Sequence, residues 1–318
     1  MSAAIVVTDQ AFGNVDRERE LAERLGAHFS SHQCRTEDET IEVVADAAVV
    51  LVNFAPITRR VLDSMKPDSV IIRYGIGYDN VDVAAAAERG IRVCNVPDYG
   101  ADTVADHTVA SLLTLLRKIN LLDRAVRERG WLQPGELGPL PGFADTTVGL
   151  VGTGRIGRAV AARLQPFGFK VIAYDPFVAR SSLAELNIRS VDLDELLASA
   201  HAVSLHAPLT EENHHLIGKK ALRQMRPGAV LVNTSRGGLV DPDALVESLR
   251  DGHIGGAALD VFEMEPLPVG SELRAFQNVL LTPHAAFFSD ASLANLQRLA
   301  TEEAERAWAG RPLRCMVA

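Results

Sequence analysis

Short apolar segments alternate with amphipathic helical segments along this chain, and that alternation constrains the fold more than any other feature. Apolar segments that follow turn-type residues are typical of buried strands, and their alternation with helices is typical of parallel α/β folds. Strands are predicted at 5–8, 48–53, 70–74, 92–95, 147–151, 170–174, 203–206, 230–233, 257–260 and 279–281. The sequence therefore predicts an α/β protein built on parallel sheets.

The length of the chain, 318 residues, predicts about two domains. Apolar residues recur at helical spacing from about 102 to 128, which predicts one long helix able to bridge two domains. A connector rich in Pro and Gly follows at 134–142. The remaining helices are predicted at 17–28, 83–89, 158–165 and 290–309.

A glycine-rich turn lies between a predicted strand and a predicted helix, with Gly152, Gly154 and Gly157 in G-x-G-x-x-G spacing. The spacing alone is a weak signal, but the strand–turn–helix context fits a dinucleotide site better than a purely structural turn. There the first glycine permits a tight turn, the second lets a pyrophosphate approach, and the third lets helix and strand pack closely. Backbone N–H groups at the helix start, including Arg155 and Ile156, would meet the phosphates.

The next predicted strand is followed by Asp175, eighteen residues after the last glycine of the motif. A carboxylate at about that distance typically accepts hydrogen bonds from the adenosine ribose, and it would repel the 2′-phosphate of NADP. Pro176 follows, with no adjacent Arg or Lys to pair with such a phosphate. We predict that the cofactor is NAD(H), preferred over NADP(H); the alternative is an unrelated surface aspartate.

Polar side chains follow consecutive strands of the second series, where ligands of open parallel sheets bind. Arg236 has the planar guanidinium that suits a substrate carboxylate, although a surface arginine in a turn would look the same. Glu265 follows the next strand, and His284, a candidate general acid/base, follows the one after. His206 also follows a strand, so position alone does not separate the two histidines. We favour His284 because an arginine and a carboxylate accompany it.

Metal binding and hydrolytic chemistry receive little support from the sequence. His28 and His32 are four residues apart, with Cys34 nearby, but the segment between them reads as a helix ending and no acidic ligand is evident. His214 and His215 are adjacent and are expected to point apart. We therefore predict no metal site. The chain contains no Gly-x-Ser-x-Gly or Walker-type motif.

Composition limits the partners and the compartment. The formal net charge of −9 argues against general binding to nucleic acid or to anionic membranes. Three cysteines without a C-x-x-C pattern favour a reducing compartment over a disulfide framework. No targeting or membrane-spanning segment is evident, so a cytoplasmic location is the expectation.

Several motifs together resemble the D-isomer-specific 2-hydroxyacid dehydrogenase family over nearly the whole chain. They are RYGIGYDNVD at 73–82, the glycine motif, HAPLT at 206–210, the segment around Arg236, DVFEMEP at 260–266 and TPH at 282–284. The resemblance implies a Rossmann-type NAD-binding domain at 100–286. It also implies a discontinuous, flavodoxin-like substrate-binding domain at 1–99 and 287–318, a cleft between the two, and a homodimer formed through the NAD-binding domains.

The resemblance further implies roles for single residues: Arg236 binds the substrate carboxylate, His284 is the general acid/base, and Glu265 tunes His284. Reduction of a 2-oxo acid requires the imidazolium form, which a nearby carboxylate favours. Backbone N–H groups in the segment Tyr74, Gly75, Ile76 and Gly77 would also meet the substrate. Beside the glycine motif and Asp175, the residues implied to line the cofactor are Thr103, Pro176, His206, Ala207, Pro208, Asn213, Thr234, Ser235, Arg236, Asp260, His284 and Ala286.

Within the family, the motifs NHHLI at 213–217 and His284-Ala285-Ala286 most resemble the C-terminal-binding proteins, which are animal transcriptional co-repressors. Phe287 and Phe288 stand where that branch has Trp and Tyr, so its substrate preference is not carried over. Two functions stay open: an NAD-dependent dehydrogenase of a small 2-hydroxy or 2-oxo acid, and a dimeric NAD(H)-sensing co-regulator. The complete set of Arg, Glu and His favours the enzyme.

Overall fold

The computed structural model describes residues 4–318, the side chain of Pro134 excepted. Its chain forms two compact units, with Met1–Gly100 and Phe288–Ala318 in unit 1 and Ala101–Phe287 in unit 2. Each boundary lies one residue beyond the position predicted from the sequence. Within residues 4–318, no helix is both long enough and apolar enough to cross a bilayer.

Strands and helices alternate along most of the chain. The strands are β1 (Ala4–Val7), β2 (His28–Ser31), β3 (Ala47–Val52), β4 (Val70–Arg73), β5 (Arg92–Cys94), β6 (Thr147–Val151), β7 (Lys170–Tyr174), β8 (Arg189–Ser190), β9 (Ala202–Leu205), β10 (Ala229–Asn233), β11 (Ile254–Leu259) and β12 (Val279–Leu281). The helices are α1 (Asp16–Leu25), α2 (Glu37–Val44), α3 (Arg59–Ser64), α4 (Val83–Glu88), α5 (Ala101–Leu116), α6 (Ile119–Arg129), α7 (Arg155–Leu164), α8 (Arg180–Ala184), α9 (Leu193–Ser199), α10 (Lys219–Gln224), α11 (Pro242–Arg250) and α12 (Asp290–Trp308).

Unit 1 is built on a parallel five-stranded sheet in the order β2-β1-β3-β4-β5. This is the flavodoxin-like order of a doubly wound sheet. Helix α12 returns to this unit and buries Leu296, Leu299 and Ala300 in the apolar cluster that includes Leu51 of β3 and Ile72 of β4. Burying a single leucine stabilises a fold by about 2 kcal/mol, so α12 is part of the core of unit 1.

Unit 2 is built on a parallel seven-stranded sheet in the order β12-β11-β10-β9-β6-β7-β8. Counted from its first strand, this is the Rossmann order with one further strand at an edge. The direction of winding reverses between β6 and β9, and ligands of such sheets bind outside the carboxyl ends of the strands at that point. The predicted α/β class with a Rossmann-type sheet is confirmed.

Two local predictions are wrong. The stretch predicted as one helix from about 102 to 128 is two helices, α5 and α6, both in unit 2, because Lys118 adopts a left-handed conformation with φ of 51°. The Lys118 ammonium group donates to the carbonyl of Leu137, which holds the break in place. The segment around His28 is the edge strand β2 rather than a helix, since Gly26 ends α1 with φ of 64°.

Candidate active site

The glycine turn follows β6 and leads into α7, as the sequence predicts. Gly152 has φ of 93°, and a Cβ at this position would lie 2.7 Å from the carbonyl oxygen of His206. A Cβ on Gly157 would lie 2.3 Å from the carbonyl oxygen of Gly152. At Gly154, by contrast, a Cβ would meet no atom within 4 Å. The first and third glycines are therefore required by packing, whereas the second leaves open space beside the backbone.

The start of α7 offers backbone donors rather than a protein cap. Gly154 is its N-cap residue and has no side chain with which to cap the first turn, which includes Arg155 and Ile156. The first N–H groups of a helix lack partners within the helix, and together with the helix dipole they attract anions. The open space at Gly154 and this helix start fit a dinucleotide pyrophosphate.

Asp175 lies at the end of β7, beside the glycine turn. Its Oδ2 accepts hydrogen bonds from the backbone N–H and the hydroxyl of Thr153, both at 2.7 Å. Its Oδ1 accepts from the backbone N–H of Phe177 at 3.0 Å, across the exposed Pro176. These bonds fix the carboxylate, which retains acceptor capacity because a carboxylate has about four lone-pair sites.

His206 follows β9 and faces the same turn through its backbone. Its Nε2 lies 2.9 Å from the hydroxyl of Ser204, and its buried Nδ1 has no protein hydrogen-bond partner. Burial lowers the pKa of His206 to about 4, so the ring is neutral at ordinary pH and does not serve as a proton donor. The lowered pKa distinguishes His206 from His284 as a candidate general acid, whereas their positions in the sequence did not. The unpartnered nitrogen fits a contact with a bound cofactor, beside Ala207 and Pro208.

The depressed pKa of His206 predicts a loss of stability in acid. Because its folded pKa of about 4 lies below the unfolded value near 6.5, its contribution is present above pH 6.5 and lost as the pH falls towards 4. The full shift corresponds to ~3 kcal/mol, and we expect about 2 kcal/mol because the residue is only half-buried. Urea unfolding at pH 7 and pH 4.5 should show a smaller loss in His206→Gln than in the parent chain. Equal losses would contradict the assignment.

His284 occupies a tight turn after β12. Its φ is 52°, and its backbone N–H donates to the carbonyl of Asp260 at 2.7 Å. The buried Asp260 carboxylate fixes the rest of the turn by accepting from the Thr282 hydroxyl at 2.5 Å and from the N–H groups of Ala285 and Ala286 at 2.8 and 2.9 Å. Asp260 is predicted as a cofactor contact, and the structure shows that it also holds the His284 turn. The position of Asp260 at a strand end did not predict this second role.

Glu265 contacts His284 directly. Its Oε2 lies 2.8 Å from the Nδ1 of His284, and its Oε1 accepts from the backbone N–H of Phe262 at 2.9 Å. Burial alone would raise the pKa of Glu265, but these two hydrogen bonds and the positive charges of His284 and Arg236 outweigh it and lower that pKa. Glu265 is thus a carboxylate at ordinary pH and holds the imidazole in one orientation.

Arg236 follows β10 in a loop held by its neighbours. Asn233 accepts from the N–H of Ser235 at 3.0 Å and donates to the Arg236 carbonyl at 2.8 Å. The Ser235 hydroxyl donates to Leu205 O at 2.8 Å, and the Thr234 hydroxyl lies 2.9 Å from that of Thr108. The guanidinium donates from Nη1 to the Ser235 carbonyl at 2.6 Å. The three residues predicted from strand ends all lie in unit 2: Arg236, Glu265 and His284.

The segment predicted to meet the substrate carboxylate lies in unit 1. The buried Tyr74 donates its hydroxyl to Glu18 at 2.8 Å, and burial raises the pKa of Glu18. Gly75 has φ of 127°, and Asn95 donates to the carbonyl of Ile76 at 2.6 Å. These contacts shape the turn that includes Gly77. The roles of Glu18 and Asn95 could not be predicted from the sequence, because their partners are distant in the chain. The substrate role of this segment stays a prediction.

Thr103 and Asn213 are two further residues that are predicted to contact the cofactor. Thr103 lies in the first turn of α5. Asn213 uses its side chain within its own loop, accepting from the N–H of Thr210 at 2.8 Å and donating to the carbonyl of Pro208 at 2.7 Å.

His214 and His215 do not point apart, contrary to the sequence-based expectation. Their rings stack with centroids 3.9 Å apart, and both Nε2 atoms lie 3.0 Å from Oε1 of Glu263. His215 reaches this position through a left-handed backbone conformation with φ of 54°, which turns the chain between the two residues.

Sheet order, glycine turn and the Arg–Glu–His set together define a dinucleotide-binding oxidoreductase. The family model "D-isomer specific 2-hydroxyacid dehydrogenase, NAD binding domain" matches residues 109–286, more than half of the chain. The chain belongs to that family, and its activity is that of an NAD-dependent D-2-hydroxyacid dehydrogenase. The family resemblance is confirmed, whereas the narrower resemblance to the C-terminal-binding proteins stays a prediction.

Two relatives agree with this assignment, and a third has the same fold with a different named activity. A glyoxylate reductase of Korarchaeum cryptofilum is 41% identical over 265 residues, covering 82% of this chain and 80% of that protein. The structure of D-lactate dehydrogenase from Aquifex aeolicus with NAD and lactic acid is 29% identical, covers 96% of each chain and gives a TM-score of 0.86. An acyclic imino acid reductase with NADPH and D-Arg is 26% identical, covering 99% of this chain and 100% of that one, with a TM-score of 0.87.

Proposed function

We propose that this protein interconverts a small 2-oxo acid and the corresponding D-2-hydroxy acid, with His284, Glu265 and Arg236 as its catalytic residues. The observation that carries the proposal is the 2.8 Å contact between His284 Nδ1 and Glu265 Oε2, with Arg236 near enough to lower the pKa of Glu265. The relative named glyoxylate reductase supports a small substrate, and we propose glyoxylate as the first to test.

The chain's own groups have separate tasks in this reaction. Arg236 binds the substrate carboxylate through its planar guanidinium and orients the adjacent keto group. His284, whose Nδ1 is occupied by Glu265, donates a proton from Nε2 to the keto oxygen as the carbon is reduced, and takes it back in the oxidative direction. Glu265 stays ionised and stabilises the imidazolium before the transfer. Bound NADH supplies the hydride for reduction, and NAD⁺ accepts it for oxidation.

The residues that would hold the cofactor are those of the glycine turn and its neighbours. The open backbone at Gly154 and the start of α7 suit the pyrophosphate, and the unpartnered Nδ1 of His206 suits a polar group of the cofactor. We further propose that the protein forms a homodimer through unit 2 and works in the cytoplasm. Both statements rest on the family resemblance and the composition.

The proposed activity is tested by NADH oxidation over a panel of 2-oxo acids graded in size and charge: glyoxylate, hydroxypyruvate, pyruvate and longer or phosphorylated members. We expect sustained turnover with the small members and D-configuration in the chiral products. No turnover on any member, with tight NADH binding intact, would contradict the proposal and favour the alternative, an NAD(H)-sensing co-regulator.

Preference for NAD over NADP is proposed to depend on Asp175. Replacing it in Asp175→Ala removes a carboxylate that would accept from the ribose hydroxyls and repel a 2′-phosphate. Because hydrogen bonds to charged groups contribute about 1.5–3 kcal/mol, we expect kcat/KM for NADH relative to NADPH to fall about 10- to 100-fold. Asp194→Ala, an exposed acid of the same unit, is the control. An unchanged ratio in Asp175→Ala would exclude this role.

Glu265 is proposed to extend reduction to higher pH. In Glu265→Gln the imidazolium of His284 loses a negative neighbour at 2.8 Å, so the protonated form that reduction requires is lost sooner as the pH rises. We expect the alkaline limb of the kcat/KM profile for reduction to move to lower pH. Glu272→Gln, which removes an exposed carboxylate paired with Arg250, should leave the profile in place. A profile that stays fixed in Glu265→Gln counts against the tuning role.

A further inference from the structure

A second cluster of side chains with ligand atoms lies outside the His284–Glu265 pair, in unit 2. It consists of His214 and His215, in the loop after β9, and Glu263, in the loop after β11. One ligand atom from each residue lies within 4.8 Å of the other two. The three side chains are between one third and one half exposed, so an ion from solvent can reach them.

We propose that His214, His215 and Glu263 bind a divalent transition-metal ion such as Zn²⁺. Both Nε2 atoms already lie 3.0 Å from the same carboxylate oxygen, and the stacked rings direct them to one side. Ligands about 2.05 Å from a tetrahedral zinc are about 3.3 Å apart, so each of the two nitrogen–oxygen distances needs to grow by only a few tenths of an ångström to admit the ion.

The donor set selects the class of ion. Two imidazole nitrogens and one carboxylate oxygen suit Zn²⁺, Ni²⁺, Co²⁺ and Cu²⁺, whereas Mg²⁺ and Ca²⁺ prefer oxygen ligands throughout. Three protein ligands leave at least one position for water, which agrees with the exposure of the cluster. Without an ion, two N–H groups share one oxygen; with an ion, each of the three side chains contributes a lone pair.

A bound ion would tie together loops that carry the proposed catalytic residues. The backbone N–H of His215 donates to the carbonyl of Gly238 at 2.7 Å, and Gly238 lies two residues after Arg236. Glu263 lies two residues before Glu265. The site itself does not rest on the proposed reaction, because none of its three ligands takes part in that reaction.

The experiment is isothermal titration of ZnCl₂ into tag-free, EDTA-treated protein in a non-chelating buffer. We expect one saturable site per chain in the parent, and affinity at least about tenfold lower in each of His214→Gln, His215→Gln and Glu263→Gln. His28→Gln, an exposed histidine in β2, is the matched control and should bind as the parent does. MgCl₂ at millimolar concentration should not compete.

Two further variants test whether the ion binds at other side chains that could ligate it. His284→Asn and Cys315→Ser should retain the site; loss of binding in either would place the ion elsewhere and overturn the proposal. Equal affinity in the parent and the three cluster variants would overturn it as well.

A measurement on the unsubstituted protein covers the case in which a variant fails to fold. In crystals soaked with ZnCl₂, the anomalous difference map should show a peak about 2.0–2.1 Å from both Nε2 atoms. Zinc at a hundredfold excess over Kd should also raise Tm by about 4 °C or more, because the ion binds only the folded chain. An absent peak with no change in Tm would overturn the proposal.

Discussion

In His284→Asn, we expect kcat for reduction of a 2-oxo acid to fall by about 10²- to 10⁴-fold, the range attributed to a positioned general acid. Asparagine has no proton to transfer at neutral pH, yet its amide is close in size to part of the imidazole and can still donate to Glu265. The turn itself is held by Asp260 through backbone and hydroxyl contacts rather than through the ring. The expected loss is therefore one of chemistry and not of folding.

This effect is measured by steady-state NADH oxidation, together with NADH binding monitored by fluorescence. Binding should stay within about threefold of the parent value, since Asn retains the backbone and Glu265 contacts. His253→Gln is the matched control. His253 lies in the same unit, and its Nε2 lies 3.0 Å from the carbonyl oxygen of Met225. If His284→Asn keeps more than a tenth of parental kcat, the proton donor is another group.

Gly237→Ala should cause the largest structural defect of any single methyl addition in the catalytic loops. A Cβ at this position would lie 1.9 Å from the carbonyl carbon of Phe262 and 2.3 Å from the backbone nitrogen of Glu263. Because these are backbone atoms, no side-chain rotation relieves the overlap, and the segment before Glu265 must move. We expect about 3 kcal/mol or more of destabilisation, a fall in Tm of at least about 4 °C, and at least tenfold lower kcat.

Gly238→Ala provides the comparison one residue away. There the nearest atoms to a new Cβ are the side-chain atoms Leu209 Cδ2 at 3.0 Å and His214 Cδ2 at 3.3 Å, which can yield. We expect less than about 1.5 kcal/mol of destabilisation and near-parental kcat. Differential scanning fluorimetry and NADH oxidation on both variants test the contrast. Equal defects in the two would show that flexibility of the loop, rather than the Phe262 backbone, decides tolerance.

Periodicity in the sequence predicted most of the strands but not where every helix ends. The runs at 147–151, 170–174 and 279–281 coincide with β6, β7 and β12, because strands of a parallel sheet with helices on both faces are mostly apolar. The break between α5 and α6 escaped because no Gly or Pro marks it and the apolar spacing continues past it. β2 escaped because it is a short edge strand with exposed ends, which looks like the continuation of a helix.

At the candidate site, strand-end position predicted the members of the Arg–Glu–His set but not their supports. Asp260 and Asn233 hold the catalytic loops through backbone contacts that exist only once neighbouring strands are paired. The His214–His215 cluster was predicted wrongly because adjacent side chains diverge in regular structure. The left-handed backbone at His215 is a tertiary effect that no local pattern announces.

The return of α12 to unit 1 has a consequence for synthesis on the ribosome. Unit 2 is continuous from Ala101 to Phe287, so its whole sheet emerges before α12 does. The strands of unit 1 emerge first, yet one of their apolar faces stays only partly covered until Leu296, Leu299 and Ala300 arrive. The segment made first is thus completed last, and a nascent chain halted near residue 287 would carry a finished nucleotide-binding sheet beside an unfinished one, the kind of species that chaperones engage.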